Sequence, residues 1–317
     1  MKNSDLKKVA LVGTGFVGMS FAYALLNSGE CDQLVLIDIN KVKAHGESMD
    51  LNHGLPFAKR NMLIFDGEFC DCCDADIVVI CAGVNQKEGE SRIELLNRNY
   101  EVFKSIIDPV IKSGFNGIFL VATNPVDIMT KITLELSGFE SSKVIGSGTT
   151  LDTARLRYLL GDYFKIDPRN IHAYVIGEHG DSEIIPWSQA YVTTKRIYDI
   201  IDSSNGKFKF EDLYNISKNV TGAAQEIISA KNATYYGIGM ALVRIVRAIF
   251  GDEKSALTVS VMLNGQYGVT DVYAGLPAII GRNGVEDIIV LDLKENERTA
   301  FINSCNFLKE TAEQIDF

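Results

Sequence analysis

Short apolar runs alternate along the first half of the chain with longer stretches in which apolar residues recur at helical spacing. Lys7–Val12 is such a run, and a near-continuous apolar stretch of this length marks a strand buried on both faces of a parallel sheet. It breaks at Gly13; a helix is expected from Val17 to about Leu26, stopping near Gly29. Gln33–Ile37 reads as the next strand, Lys41–Asn52 as a helix, Met62–Phe65 as a strand and Asp76–Cys81 as a fully buried one. A long helix, Arg92–Ser113, precedes another buried strand, Asn116–Val121, and Val144–Ile145 reads as the last strand of this sheet. Strands alternating with helices in this way predict a doubly wound parallel sheet of the Rossmann type.

The second half is patterned differently. Thr149–Gly161, Phe210–Ala230 and Thr234–Phe250 read as helices, and His172–Ile176, Ala256–Leu263, Val272–Ile280 and Ile288–Leu291 as strands. Strands so close together in sequence predict an antiparallel sheet in an α+β domain. Glu295–Gln314 is a closing amphipathic helix, expected to pack rather than to take part in chemistry. Gly146-Ser147-Gly148 marks the expected boundary, giving a dinucleotide-binding domain over 1–147 and a substrate-binding domain over 148–317.

The break after the first strand is Gly13-Thr14-Gly15-Phe16-Val17-Gly18, a G-x-G-x-x-G between strand and helix, and Asp38 follows Gly18 by 20 residues at the end of the second strand. In that context the glycines let the chain turn, let backbone approach a pyrophosphate and let helix and strand pack, while the helix N-terminus offers free N–H groups to phosphate. A carboxylate at Asp38 accepts hydrogen bonds from a ribose 2′-hydroxyl and repels a 2′-phosphate, so NAD is expected over NADP.

Composition narrows the choice. A net charge of −10 argues against a nucleic-acid partner, which would require a basic face. No apolar stretch reaches membrane-spanning length, and the run Val9–Val12 is too short for a signal peptide, so a cytoplasmic protein is expected. Six cysteines are few for 317 residues. The Cys70/Cys72/Cys73 cluster lacks a partner pair at zinc-site spacing, and no metal is expected.

The candidate chemistry centres on Ile176-Gly177-Glu178-His179-Gly180-Asp181-Ser182, an imidazole between two glycines and close to carboxylates. Histidine titrates nearest neutrality. An ordinary surface turn is the plain alternative. Asp152 and Arg155, at i,i+3, share a helix face, where a solvated surface pair is the usual outcome. Arg157 projects about 200° around the helix from Arg155, so the two cannot serve one ligand. Ser147, Asp152 and His179 follow a hydrolase order, but Ile145 occupies the place where a nucleophile elbow needs glycine. The polar stretch Gly83–Ser91, after a strand's carboxyl end, could form a lid.

Together, Val12–Gly18, Gly83–Arg92, Thr123–Asp127, Leu151–Leu160, Gly177–Ser182 and Ala233–Gly239 resemble, in order, the bacterial L-lactate dehydrogenases of the lactate/malate dehydrogenase superfamily. The resemblance implies hydride transfer between NADH and pyruvate, with lactate as product and a homotetramer as the assembly. It implies that His179 donates and accepts the proton, that Asp152 orients it, that Arg92 polarises the carbonyl and that Arg155 grips the substrate carboxylate. It places Asn124 against substrate and cofactor, Gln86 and Thr234 around the substrate's third substituent, and Gly13, Gly15, Phe16, Val17, Gly18 and Asp38 against the cofactor. Gln86 stands where malate dehydrogenases of the superfamily carry arginine, which implies pyruvate rather than oxaloacetate, because a second carboxylate would be buried unpaired. Arg157 and His172 match positions that bind the activator fructose 1,6-bisphosphate between subunits. Glu88 departs from the proline common in the lid. Malate dehydrogenase is the nearest rival; a silent NAD-binding sensor would have no need of Arg92, Asp152, Arg155 and His179 together.

Overall fold

The computed structural model describes residues 6–84 and 92–314. Strands β1 (Lys8–Val12), β2 (Gln33–Ile37), β3 (Leu63–Asp66), β4 (Ile77–Ile80), β5 (Ile118–Val121) and β6 (Val144–Gly146) alternate with helices α1 (Phe16–Ser28), α2 (Lys41–Gly54), α3 (Arg92–Lys112) and α4 (Val126–Ser137). The six strands are parallel in the order β6-β5-β4-β1-β2-β3. The strand order reverses between β1 and β4, the place where open sheets of this kind bind ligands outside the strands' carboxyl ends.

The apolar runs have the expected consequence: every residue of β1, β4 and β5 is buried. Helix ends follow local chemistry. The C-cap of α1 is Gly29 at φ +72°, a left-handed conformation that glycine adopts without strain. At the start of α2 the Asn40 side chain accepts a hydrogen bond from the Lys43 N–H at 3.1 Å, satisfying one of the donors a helix N-terminus leaves open.

The remaining elements are α5 (Thr150–Phe164), β7 (Ile171–His172), β8 (Tyr191–Val192), β9 (Lys195–Arg196), α6 (Ile197–Asp202), α7 (Phe210–Lys231), α8 (Tyr236–Phe250), β10 (Ser255–Asn264), β11 (Thr270–Gly281), β12 (Gly284–Ile288) and α9 (Glu295–Ala312). Strands β7–β9 form a small antiparallel sheet. β10, β11 and β12 are also antiparallel, but they extend the parallel sheet to nine strands. The junction is a single pairing, Ser260 of β10 with Gly146 of β6. β6 is therefore not the end of its sheet, as the sequence suggested, and one large hydrophobic core runs across the seam.

Two other expectations need correction. Of the expected strand His172–Ile176, only His172 lies in β7. The Val175 N–H donates instead to Thr153 Oγ1 at 2.9 Å, and its carbonyl accepts from Thr149 Oγ1 at 2.6 Å. Hydroxyls around the start of α5 thus satisfy backbone that a neighbouring strand would otherwise pair. The last strand falls at Gly284–Ile288 rather than Ile288–Leu291, because the hairpin at Gly281 and Gly284 sets its register. Helix α4 had not been anticipated.

Helix α8 crosses from the second half of the chain to pack on α1. Its apolar face, including Leu242, Val246 and Ile249, is buried, and Gly239 makes the close approach possible. A Cβ there would lie 2.8 Å from the Ser20 carbonyl carbon and 3.0 Å from the Phe21 nitrogen. Gly239→Ala should push the two helices apart and lower unfolding free energy by about 1–3 kcal/mol in urea titrations. An unchanged midpoint would show that this contact yields freely.

Candidate active site

The glycine turn after β1 faces a cavity of about 670 Å³ lined by Gly13, Gly15, Asp38, Ile39, Gly83, Val84, Val102 and Ile106 among others. A Cβ on Gly18 would lie 2.0 Å from the Gly13 carbonyl oxygen, so the turn can close only on glycine. At Gly15 a Cβ would meet no atom within 4 Å; it would project into the open space a phosphate needs. α1 begins directly after Gly15 with no side-chain cap and no acidic residue in its first turn, which leaves its positive end free for an anion. Ile39 is fully exposed and forms part of an apolar wall with Phe69, Val102 and Ile106, suited to a flat aromatic base.

Asp38 is tied into this turn. Its Oδ2 accepts from the Thr14 N–H at 2.7 Å and the Thr14 hydroxyl at 2.8 Å, and its Oδ1 accepts from the Asn40 N–H at 2.9 Å. Burial works to raise the carboxyl's pKa, but these three donors and Lys43 outweigh it and hold the group below the usual range. Thr14, between the first two glycines of the motif, supplies two of the three hydrogen bonds that aim Asp38.

The second cluster is built on α5. Asp152 lies in its first turn and is 2% exposed. Its Oδ2 is 2.6 Å from His179 Nδ1, and its Oδ1 accepts from an Arg155 terminal nitrogen at 2.7 Å. The i,i+3 pair is thus no solvated surface pair: the Arg155 and Asp152 side chains are 13% and 3% exposed. Arg157 turns away. Its Nε donates to the Ala173 carbonyl at 3.1 Å and its guanidinium lies 5.1 Å from the Tyr174 ring. No carboxylate among the described residues pairs with it, and it packs against the segment that follows the exposed His172.

One carboxylate between two cations decides the electrostatics. Burial acts to raise the Asp152 pKa, yet the charges and hydrogen bonds of His179 and Arg155 bring it below the ordinary value. Burial acts to lower the His179 pKa, but Asp152 first, then Asp127 and Glu183, raise it from 6.5 to about 9. With Nδ1–H committed to the carboxylate, Nε2 is the nitrogen left to exchange a proton.

The His179 turn is anchored from distant elements. The Ile176 and Gly177 backbones pair with Ile184 and Gly275. The His179 N–H donates to Asp127 Oδ2 at 2.8 Å, and the Glu178 N–H to Ser304 Oγ at 2.9 Å. The Ser182 hydroxyl donates to Glu178 Oε2 at 2.6 Å and lies 2.9 Å from Ser304 Oγ. Helix α9, expected only to pack, therefore also holds the turn. Asp127, Ser304, Thr14 and Glu183 were not singled out in the sequence. Asp127 and Ser304 lie 52 and 126 residues from the amides they bind, beyond the reach of spacing arguments.

Asn124 is exposed on the turn between β5 and α4, three residues before Asp127. Thr234 is half-buried just before α8, beside Tyr235, whose ring stacks 5.3 Å from Phe16 of the glycine turn. Gln86 and Glu88 lie outside the described residues, as does most of the stretch Gly83–Ser91 expected to form a lid. The backbone of Arg92 opens α3, but its side chain is likewise outside the description. All six cysteines are free; burial pushes Cys72 up to about 12. No metal-binding cluster is present among the described residues.

Residues 7–146 match the family model for the lactate/malate dehydrogenase NAD binding domain, and residues 149–316 that for the alpha/beta C-terminal domain. The chain belongs to the lactate/malate dehydrogenase family. An L-lactate dehydrogenase of Geobacillus sp. (strain WCH70) is 54% identical over 98% of this chain and 97% of its own. The L-lactate dehydrogenase of Geobacillus stearothermophilus is 51% identical, with coverages of 98% and 97%. Among solved structures, a lactate dehydrogenase from a Medee basin deep-sea metagenome library superposes with a TM-score of 0.97 at 54% identity, covering 100% of both chains. The ligand-bound minor L-lactate dehydrogenase of Enterococcus mundtii gives 0.96 at 44% identity, covering 98% and 99%. NAD(H) is the cofactor of this dehydrogenase, and the open Gly15 cradle, the bonded Asp38 and the apolar wall around Ile39 fit it.

The raised His179 pKa links to stability. A group whose folded pKa lies above its unfolded value contributes stability that is full below the unfolded value and lost as pH rises through the folded one. The stability difference between the parent protein and His179→Asn should therefore be greatest below pH 6.5 and shrink toward pH 9. Parallel stability curves across that window would mean that the imidazole carries no charge there.

Proposed function

We propose that the chain is an L-lactate dehydrogenase that reduces pyruvate with His179 as the proton donor. The observation that carries this reading is the shared carboxylate of Asp152, which keeps His179 protonated and Arg155 in place within a buried cluster. NADH, when bound, supplies the hydride. Arg155 spends one of its donors on Asp152 and offers others to the substrate carboxylate as a planar fork. As negative charge develops on the carbonyl oxygen, the imidazolium Nε2–H stabilises it and passes its proton there; pre-aimed donors of this kind contribute most to such barriers. Lactate oxidation requires the neutral imidazole as base. Asp152 stays ionised throughout and fixes the ring's orientation.

The finer assignments rest on the resemblance and extend this reading. Arg92 polarises the carbonyl, and Asn124, Gln86 and Thr234 bound the substrate. The neutral Gln86 favours pyruvate over oxaloacetate. Gly13, Gly15, Phe16, Val17, Gly18 and Asp38 hold the cofactor, with Asp38 favouring NAD over NADP. The dinucleotide-binding domain spans 1–147 and the substrate domain 148–317, in keeping with the two family-model matches. The enzyme works as a homotetramer in the cytoplasm, in fermentative glycolysis; no helix among the described residues is long and apolar enough to cross a membrane.

Pyruvate kcat/KM should stay high in the neutral range and fall above about pH 9, while lactate oxidation should rise over the same interval. His179→Asn should lower kcat by about 10²–10⁴-fold with NADH binding retained. Equal rates for the variant and the parent enzyme would remove His179 from the reaction, and faster turnover of oxaloacetate than of pyruvate would reassign the substrate.

Fructose 1,6-bisphosphate is proposed as an activator held by Arg157 and His172. Support comes from Arg157 itself, a guanidinium with no carboxylate partner among the described residues, packed beside the segment after His172. The bisphosphate should lower the pyruvate concentration for half-saturation, and Arg157→Gln should abolish that shift. Superimposable curves for the parent enzyme with and without it would reject an effector role.

A further inference from the structure

A second buried carboxylate contacts the His179 turn. Asp127 lies in the first turn of α4 and is 2% exposed. Its Oδ2 accepts the His179 N–H at 2.8 Å, and its Oδ1 accepts the Ser260 hydroxyl at 2.6 Å. Ser260 is fully buried and is the residue of β10 that pairs with Gly146. One carboxylate therefore joins three segments: the turn bearing His179, the α4 N-terminus that follows Asn124, and the seam between the parallel and antiparallel strands. A neutral acceptor would serve if the only need were to hold an amide. A buried charge is costly unless another charge makes use of it, and here the imidazolium does.

We propose that Asp127 is a positioning residue for the reaction: it locks the His179 backbone to α4 and β10, and its negative charge, with that of Asp152, holds the imidazole in its protonated form. The inference rests on the reading of His179 as the proton donor. It adds a role that neither Asp152 nor Arg155 can fill, since both belong to α5 whereas Asp127 reaches the turn from the first half of the chain.

The titratable groups facing Asp127 are few among the described residues. His179 and Glu178 face it from the turn, and the Cys305 thiol faces it from α9, pushed up to about 12 by burial first and by Asp127 second. Burial raises the Asp127 carboxyl to about 6, against the opposing effects of Ser260 and His179. The group is thus ionised at neutral pH and protonates on mild acidification, which would remove one of the charges holding the imidazolium. Glu183, raised to about 7 by burial and by Asp152, titrates in a neighbouring range, but its hydrogen bond is to Thr221 and not to Ser260.

Two variants of the full-length enzyme test this. Asp127→Asn keeps an acceptor for the His179 N–H and removes the charge. It should move the alkaline limb of pyruvate kcat/KM down by about one pH unit and lower kcat about tenfold or more through looser aim, with NADH affinity, read by nucleotide fluorescence, within about twofold of the parent. Ser260→Ala leaves the Asp127 charge but removes the hydroxyl that fixes its Oδ1, so it should lower kcat through looser aim while leaving the alkaline midpoint in place. An Asp127→Asn enzyme with the parent's alkaline midpoint and kcat overturns the proposal. If that variant does not fold, Ser260→Ala decides alone, and an unchanged kcat overturns the proposal. If the parent enzyme fails to reduce pyruvate, or His179→Asn reduces it equally well, the underlying reading falls with it, a result distinct from failure of the Asp127 variants.

Discussion

The Asp152 carboxylate accepts an imidazole on one oxygen and a guanidinium on the other, and the site depends on that division. A single buried anion cannot neutralise two cations. His179 and Arg155 each keep donors that Asp152 does not take, and on the proposed reading these serve the substrate carboxylate and the oxygen that becomes anionic. Removing Asp152 would leave two like charges close together with little water, and buried charges without a counter-charge are strongly destabilising. Placement in the first turn of α5 helps, since the positive end of the helix also favours the anion.

The sheet makes the arrangement possible. Its parallel strands put the glycine turn, Asp38 and Asn124 at their carboxyl ends, where the reversal of strand order opens a crevice. The antiparallel strands bring Gly275 against Gly177 and Ser260 against Gly146. Helix α9 returns to place Ser304 behind Glu178. A short, glycine-rich turn that would be loose by itself is thereby held at its backbone from β11, α4 and α9, and His179 gains a defined direction.

Much of this could be read from the chain because it is local. Apolar runs located the parallel strands, the glycine spacing located the turn, and i,i+3 spacing paired Asp152 with Arg155. What could not be read is set by distant partners. Hydroxyls near the start of α5 take the hydrogen bonds of Val175, so an apolar segment that looks like a strand is mostly irregular. The hairpin glycines shift β12 ahead of the apolar residues that suggested it. Asp127 sits in a segment that was recognised, but its partners lie on other elements, and nothing in Asn124-Pro125-Val126-Asp127 indicates which amide it accepts. Burial, too, is invisible in spacing: the Asp152–Arg155 pair looks like a solvated helix face until the rest of the chain covers it.

The seam between β6 and β10 has a consequence for how such enzymes can be recombined. Asp127 comes from the first half of the chain, its partner Ser260 from the second, and the two meet where the parallel and antiparallel strands join. A chimera cut at Gly146–Gly148 between this chain and a relative would inherit its cofactor cradle from one parent and its imidazole from the other. Such a hybrid could keep both binding surfaces intact and still aim its histidine badly. Besides the packing of α8 on α1, compatibility across the cut rests on one buried carboxylate and one hydroxyl, neither of which belongs to a binding surface that a designer would think to match.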